Sequence, residues 1–200
     1  MKQITSISFV RHGQVHNPQD LFYGRSRGFP LSDDGRQQAL AAKDYFANQT
    51  LAAVFSSPLL RARQTAEIIL IPHEGLKRII DRSLNETKSP YDGKPISVVE
   101  ALDWDIYTGA SHEFEQPMDV LTRALKFVSN VLQEYPGKHI VAVTHRDLIV
   151  FLFLWSRSQP ITPSEKLKMD KHFIAPGSAS TFTFSTDPND DKPKFSYVNP

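Results

Sequence analysis

No cysteine occurs in the 200 residues, so disulfide staples, thiolate nucleophiles and Cys-based zinc sites are excluded at the outset. Neither sign of charge is in excess. Lys and Arg number 23 against 22 Asp and Glu, a formal net charge of +1, and no overall field draws the chain to nucleic acid or to an anionic membrane. Long apolar runs are missing too: the longest, Leu148 to Trp155, has eight residues where roughly 20 are needed to cross a bilayer. The opening Met1-Lys2-Gln3-Ile4-Thr5-Ser6 has no apolar signal segment, and the expectation is a cytoplasmic protein with no membrane partner. There is no internal repeat and no low-complexity tract. One domain spanning 1–200 is therefore expected. A chain of this length buries roughly 70% of the surface that it exposes when unfolded, which is enough for a core without staples.

What is present is periodic. Three short, β-branched apolar segments, Ile7 to Val10, Ala52 to Phe55 and His139 to Thr144, suit strands buried on both faces. A helical pattern follows each one. Residues 33–47 are opened by Ser32 as N-cap, residues 59–70 follow Pro58, and Leu148 to Trp155 reads as a buried helix. Over 118–135 the apolar Met118, Leu121, Leu125, Val128, Leu132 and Tyr135 fall on one helical face, and Pro136-Gly137 ends it. This alternation predicts a three-layer α/β/α fold around a mostly parallel central sheet. Alternation at 180–184 and 195–198 around the turn-rich Asp187 to Asp191 adds a C-terminal antiparallel hairpin at the sheet edge. Residues 81–117, rich in Pro and Gly, are expected to form an irregular excursion, with a short helix near Val98 to Trp104.

Ligands of parallel sheets bind beyond the carboxyl ends of the strands. The residues there are Arg11, His12, Gly13 and Asn17 after the first strand, Ser56 to Arg61 after the second, and Thr144, His145 and Arg146 after the third. Two histidines with several arginines have the composition of a phosphate site. The planar guanidinium fork grips two phosphate oxygens and stays charged. A neutral imidazole is a nucleophile able to carry a covalent intermediate, and neighbouring arginines favour its neutral form. Gly13 lets backbone come close to a ligand.

These residues resemble the histidine phosphatase superfamily, the phosphoglycerate mutase-like proteins. Its Arg-His-Gly signature is matched by Arg11-His12-Gly13. Its Ser-Pro-Leu-x-Arg-Ala-x-Gln-Thr-Ala motif is matched at every fixed position by Ser57 to Ala66, and its looser Pro-Leu-Thr-x-x-Gly-x-x-Gln-Ala element is similar to Pro30 to Ala39. The resemblance runs in order over about 150 residues. It implies a metal-independent phosphatase that needs no cofactor and acts on a small phosphorylated metabolite. By the resemblance His12 becomes phosphohistidine, and Arg11, Arg61 and His145 hold the phosphoryl oxygens. Glu86, in a Leu-x-Glu context, is the acid, with Asp81, Asp92 and Glu100 as rivals. Gly13, Asn17, Tyr23, Gly24 and Arg146 are the substrate contacts expected besides. Arg146 stands where the family usually has Gly, and Arg27 where an acidic residue often falls. Both add positive charge at the mouth and point to a substrate with more than one anionic group.

The remaining titratable residues have plainer readings. Arg25, Arg36, Arg78 and Arg123 are expected to be solvated surface residues. His16, His73, His112, His139 and His172 are expected to be structural or exposed, and no histidine spacing suggests metal ligands. Three alternatives stay open: a phosphoglycerate mutase-type isomerase, a phosphoprotein or phosphohistidine phosphatase, and a non-enzymatic phosphate-sensing module. Monomer and homodimer are equally compatible with the sequence.

Overall fold

Alternation along the first strand, β1 (Ile4–Arg11), sets the layering. Ile7 and Phe9 join one buried cluster and Val10 the other, so consecutive side chains point to opposite faces. The computed structural model describes residues 3–169, 173–187 and 191–200. Its elements follow in the order α1 (Asp33–Phe46), β2 (Ala53–Ser56), α2 (Leu60–Leu70), β3 (Arg78–Ile80), α3 (Ile96–Glu100), α4 (Pro117–Glu134), β4 (His139–Thr144), α5 (Arg146–Ser156), α6 (Pro163–Lys168), β5 (Ala179–Ser185) and β6 (Lys194–Val198). The strands form one six-stranded sheet in the order β3-β2-β4-β1-β5-β6. Pairing is parallel from β3 through β1 and antiparallel at β1–β5 and β5–β6.

Helices cover both faces. Val10, Val54, Val141 and Val143 pack on Ala42 and Phe46 of α1 and on Ala62, Ala66 and Ile69 of α2. On the other face Ile7, Phe9, Phe55, Ile140 and Ala142 meet α4 and α5. There Phe127 stands edge-on to Phe9 (5.9 Å between ring centres) and Phe55 (5.2 Å), the arrangement that aromatic quadrupoles favour. Ser32 caps α1 by accepting from Gly35 N–H. Among the described residues no helix is long and apolar enough to cross a membrane.

Four expectations about local structure need correction. β3 was not anticipated, because three residues give no periodicity, and Ile79 and Ile80 are exposed at the edge. α6 also went unread. The helix in the excursion ends at Glu100 rather than Trp104, because Asp103 and Trp104 have left-handed φ of 50° and 65°. In α4 the buried stripe is turned toward Val120, Ala124, Phe127 and Val131, and Met118 is 54% exposed. Phe127 supplies the ring that fills the sheet face, so the helix rotates to bury it. Of the expected C-terminal turn, Pro188, Asn189 and Asp190 lie outside the described residues.

One contact positions the site. A Cβ on Gly13 would lie 2.2 Å from the Gly35 carbonyl oxygen, and one on Gly35 would lie 2.0 Å from the Gln14 carbonyl. The close approach that Gly13 permits is thus to the first turn of α1, and it locks the chain leaving β1 against that helix. Because the clash is with backbone, Gly13→Ala and Gly35→Ala should each cost about 2 kcal/mol or more. Urea unfolding checks this, as a fall in the midpoint at unchanged slope.

Candidate active site

The carboxyl ends of β1, β2 and β4 deliver His12, Ser57 and His145 to one place. Backbone hydrogen bonds from His12 N to Thr144 O and from Ser57 N to Val143 O hold these ends in register. The His12 ring is 3% exposed. Its Nδ1–H donates to the Gly13 carbonyl at 2.8 Å, since a carbonyl can only accept. The lone pair is therefore on Nε2, which accepts from Arg61 Nε at 3.2 Å. Burial above all, with Arg61 and Arg11 second and third, holds the imidazole pKa well below its ordinary value. The arginines contribute as the sequence suggests, but desolvation is the larger cause.

Both guanidinium groups are anchored by a backbone carbonyl and keep a donor in hand. Arg61, the second residue of α2 and fully buried, gives Nη2 to the Gly24 carbonyl at 2.7 Å and approaches His145 Nδ1 at 3.4 Å. Its Cζ lies 4.7 Å over the Tyr23 ring. Arg11 gives Nη1 to the Ile174 carbonyl at 2.9 Å. Ile174 is buried with a left-handed φ of 60°, an uncommon conformation for a β-branched residue. Arg61 Nη1 and Arg11 Nε are buried with no hydrogen-bond partner among the described residues. Burial lowers the pKa of both, yet a guanidinium stays protonated at any working pH. Two unspent cationic donors beside a neutral imidazole fit an anion.

His145 stands 5.0 Å from His12, ring centre to ring centre. Ser57 Oγ donates to Asn85 Oδ1 at 3.3 Å, so the 2.9 Å contact from His145 Nε2 to Ser57 Oγ carries the imidazole proton. Nδ1 then faces Arg61 and, at 3.5 Å, Glu86 Oε2. Burial, followed by Arg61, lowers this pKa also.

Glu86 comes from the excursion. Its Oε1 accepts from Thr87 N–H at 2.9 Å. Burial first, then the charge of Asp147, raise its pKa, with Arg61 opposing. Its main-chain carbonyl is gripped from two sides, by Arg25 Nε at 2.6 Å and Arg123 Nη2 at 3.3 Å. Both arginines also bind Glu115, at 2.8 Å and 2.9 Å. The surface reading of Arg25 and Arg123 is thereby overturned: each side chain is largely buried, and Glu115 between them balances the charge.

His12, Glu86 and His145 offer ligand atoms within 4.8 Å of one another, a spacing that suits a cation. The Arg61 guanidinium, however, donates to His12 Nε2 and lies against His145 Nδ1, so both ring lone pairs face a positive charge. That guanidinium would repel a cation held at this spacing.

The other expected residues are spread around this centre. Tyr23 and Gly24 touch Arg61 as described. Asn17 spends its side chain on the Leu21 backbone, with Nδ2 donating to O and Oδ1 accepting from N, and it lines a surface pocket with His16 and Arg27. Arg146 opens α5 with Nη1 3.9 Å from Asp147. Among the rival acids, Asp81 accepts from Ser83 N, Asp92 accepts from Arg25 N, and Glu100 is an exposed residue ending α3. His139 pairs with Ser8 within the sheet, and His172 lies outside the described residues. Sequence reasoning missed the roles of Ser57, Arg25, Glu115 and Arg123. Ser57 alone carried a signal, as a fixed position of the arginine motif.

Comparison with known proteins bears on this geometry. The histidine phosphatase superfamily (branch 1) matches residues 7–186. A Mycobacterium tuberculosis protein, Rv0525, is 31% identical over 153 residues, 73% of this chain and 75% of that one. Fructose-2,6-bisphosphatase TIGAR of Xenopus tropicalis is 36% identical over 102 residues, which are 48% of this chain and 37% of TIGAR. Among solved structures, Mycobacterial hydrolase 1 superposes with a TM-score of 0.80 at 22% identity, over 100% of this chain and 99% of that one. Mycobacterial glucosyl-3-phosphoglycerate phosphatase Rv2419c gives 0.76 at 22% identity, over 100% and 98%. These two likenesses concern the fold. The sequence match across nearly the whole chain assigns the family: the protein belongs to the histidine phosphatase superfamily, branch 1.

Proposed function

We propose that this phosphoric monoester hydrolase cleaves small phosphomonoesters in two steps, without a metal, through a phosphohistidine on His12. The observation that carries the reading is the neutral His12 ring, its Nε2 lone pair aimed at a buried guanidinium with donors to spare. A phosphoryl group would take the donors that Arg61 and Arg11 hold unspent, and Arg61 Nε would turn from His12 to an ester oxygen. Nε2 then attacks phosphorus in line. The N–P bond forms as the P–O bond breaks, and the Glu86 carboxyl gives its proton to the departing oxygen. In the second step Glu86, now a carboxylate, takes a proton from water. The water oxygen bonds to phosphorus, the N–P bond breaks, and His12 returns neutral with phosphate released.

The backbone N–H groups that open α5, immediately after His145, add the positive end of a helix dipole to the same locus. The substrate is a small phosphorylated metabolite in this reading. Arg146, beginning α5, and Arg27, exposed at the pocket with Asn17, favour one with a second anionic group.

His12→Ala should abolish turnover and leave no acid-labile phosphate on the protein after rapid quench. Arg61→Ala should cost on the order of a hundredfold in kcat, the scale of one preorganised donor. Activity should persist in excess EDTA, and strict metal dependence would contradict the mechanism.

Glu86→Gln should slow an alkyl phosphate such as glycerol phosphate far more than p-nitrophenyl phosphate, whose leaving group needs no proton. Equal losses on both would remove Glu86 from the acid role. Because its pKa is raised, the carboxyl keeps its proton above the usual carboxylate range and loses it as pH climbs further. With the alkyl ester, kcat/KM should therefore fall on an alkaline limb, and a pH–rate profile reads this directly.

A further inference from the structure

Four buried polar groups take no part in these two steps, and they form one chain that ends at the acid. Tyr107, 1% exposed, donates its hydroxyl proton to Asp147 Oδ2 at 2.6 Å. It therefore accepts from Thr87 Oγ1, at 3.0 Å. Thr87 in turn gives its backbone N–H to Glu86 Oε1. At the far end Lys166 of α6 places Nζ 2.9 Å from the same Asp147 oxygen and 3.3 Å from the Trp104 carbonyl. Its side chain is 6% exposed and that of Asp147 is 11% exposed. A buried ion pair is weak evidence of stabilisation, because desolvation offsets most of the attraction and apolar residues often do as well. This one borders a catalytic group.

We propose that Asp147 is a positioning residue for the acid, which fixes the Glu86 carboxyl through Tyr107 and Thr87 and keeps a proton on it by its own negative charge. The proposal rests on Glu86 being the acid, as read above.

The geometry sets two carboxyls in one water-poor region. Asp147 is in the first turn of α5, two residues past His145, whose Nδ1 is 3.5 Å from Glu86 Oε2. Two neighbouring carboxylates in low dielectric resist ionising together, so their partners decide which one yields. Asp147 has the Lys166 ammonium, the Tyr107 hydroxyl, the Arg146 guanidinium at 3.9 Å and the positive end of α5. Glu86 has one backbone N–H for its carboxyl. Arg25 and Arg123 spend their donors on its carbonyl and on Glu115, which leaves Arg61 as the main cation opposing protonation and His145 neutral beside it.

The titration directions agree. Burial would raise Asp147, but Lys166 and the Tyr107 hydrogen bond bring it below its ordinary value. Burial and Asp147 raise Glu86. Paired titratable groups driven apart in this way mark one as proton carrier and the other as fixed charge.

The experiment is a kcat/KM–pH profile with glycerol phosphate, with p-nitrophenyl phosphate in parallel, for the wild type and Asp147→Asn. The alkaline limb should move to lower pH by about one unit, a roughly tenfold loss above it. The plateau on its acid side should be kept, and p-nitrophenyl phosphate turnover should change by less than about threefold. Removing Asp147 alone leaves the Lys166 ammonium buried and unpaired, so the double replacement Asp147→Asn with Lys166→Met is measured beside it and should displace the limb in the same direction, by less because that ammonium is gone. A latch that merely joins α6 to the turn at 104–107 would lower the unfolding midpoint without moving the limb, and that outcome in either folded variant overturns the proposal. Glu86→Gln separates the two claims. A selective loss on glycerol phosphate in Glu86→Gln, with an unmoved limb in Asp147→Asn, keeps the acid and discards Asp147. Equal losses on both esters in Glu86→Gln discard the acid itself.

Discussion

The centre of this fold depends on a charged side chain buried where only neutral ones are comfortable. Arg61 is fully enclosed, and placing a guanidinium there demands a partner for nearly every N–H. The Gly24 carbonyl and two neutral imidazoles supply partners for Nε and Nη2, and the two N–H of Nη1 are left over among the described residues. Around this cation other features become necessary. Both histidines must stay uncharged, the Tyr23 face is turned toward it, and a carboxyl must sit near enough to be useful without forming an ion pair that would fill the anion's place. Glu86 meets that last condition by being held through its backbone, so its carboxyl is oriented while Arg25 and Arg123 are occupied elsewhere.

Topology explains why such a cluster forms at all. With β4 inserted between β2 and β1, three strand ends carrying His12, Ser57 and His145 come side by side, and α2 and α5 both begin there. Each helix start brings a partial positive charge. The excursion between β3 and α4 brings Glu86 to this edge, and it is tied to the rest by the buried Leu84, Val99, Ile106 and Tyr107 and by polar contacts, Glu115 to Arg25 and Arg123 and Tyr107 to Asp147.

How much of this was legible in the residues follows from the range of the interactions. Strands with β-branched runs and helices with caps are local, and β1, β4, α1 and α2 stand within a few residues of expectation. His12, Arg61 and His145 were legible because each directly follows a strand or opens a helix. α6 was legible in principle, since Thr162, Pro163 and Glu165 make a helix start, and Thr162 accepts from Glu165 N–H. Arg25 and Arg123 were not: they are 98 positions apart along the chain, and nothing short of the folded excursion announces that both will close on one carbonyl. The true packing partner of Gly13 was hidden for the same reason, because Gly35 lies in the next helix.

Ile174 gives the C-terminal hairpin a meaning beyond that of a sheet edge. Its left-handed backbone, which for a branched side chain costs on the order of 1–3 kcal/mol, turns a carbonyl toward Arg11, and Tyr197 of β6 steadies the following residue by accepting from Ala175 N–H. The placing of the Arg11 guanidinium is therefore partly written in the last thirty or so residues of the chain. Evolutionary drift that relaxed this kink for the sake of a sturdier protein would release Arg11 from its backbone anchor while leaving the hydrogen bonds of the His12 ring in place.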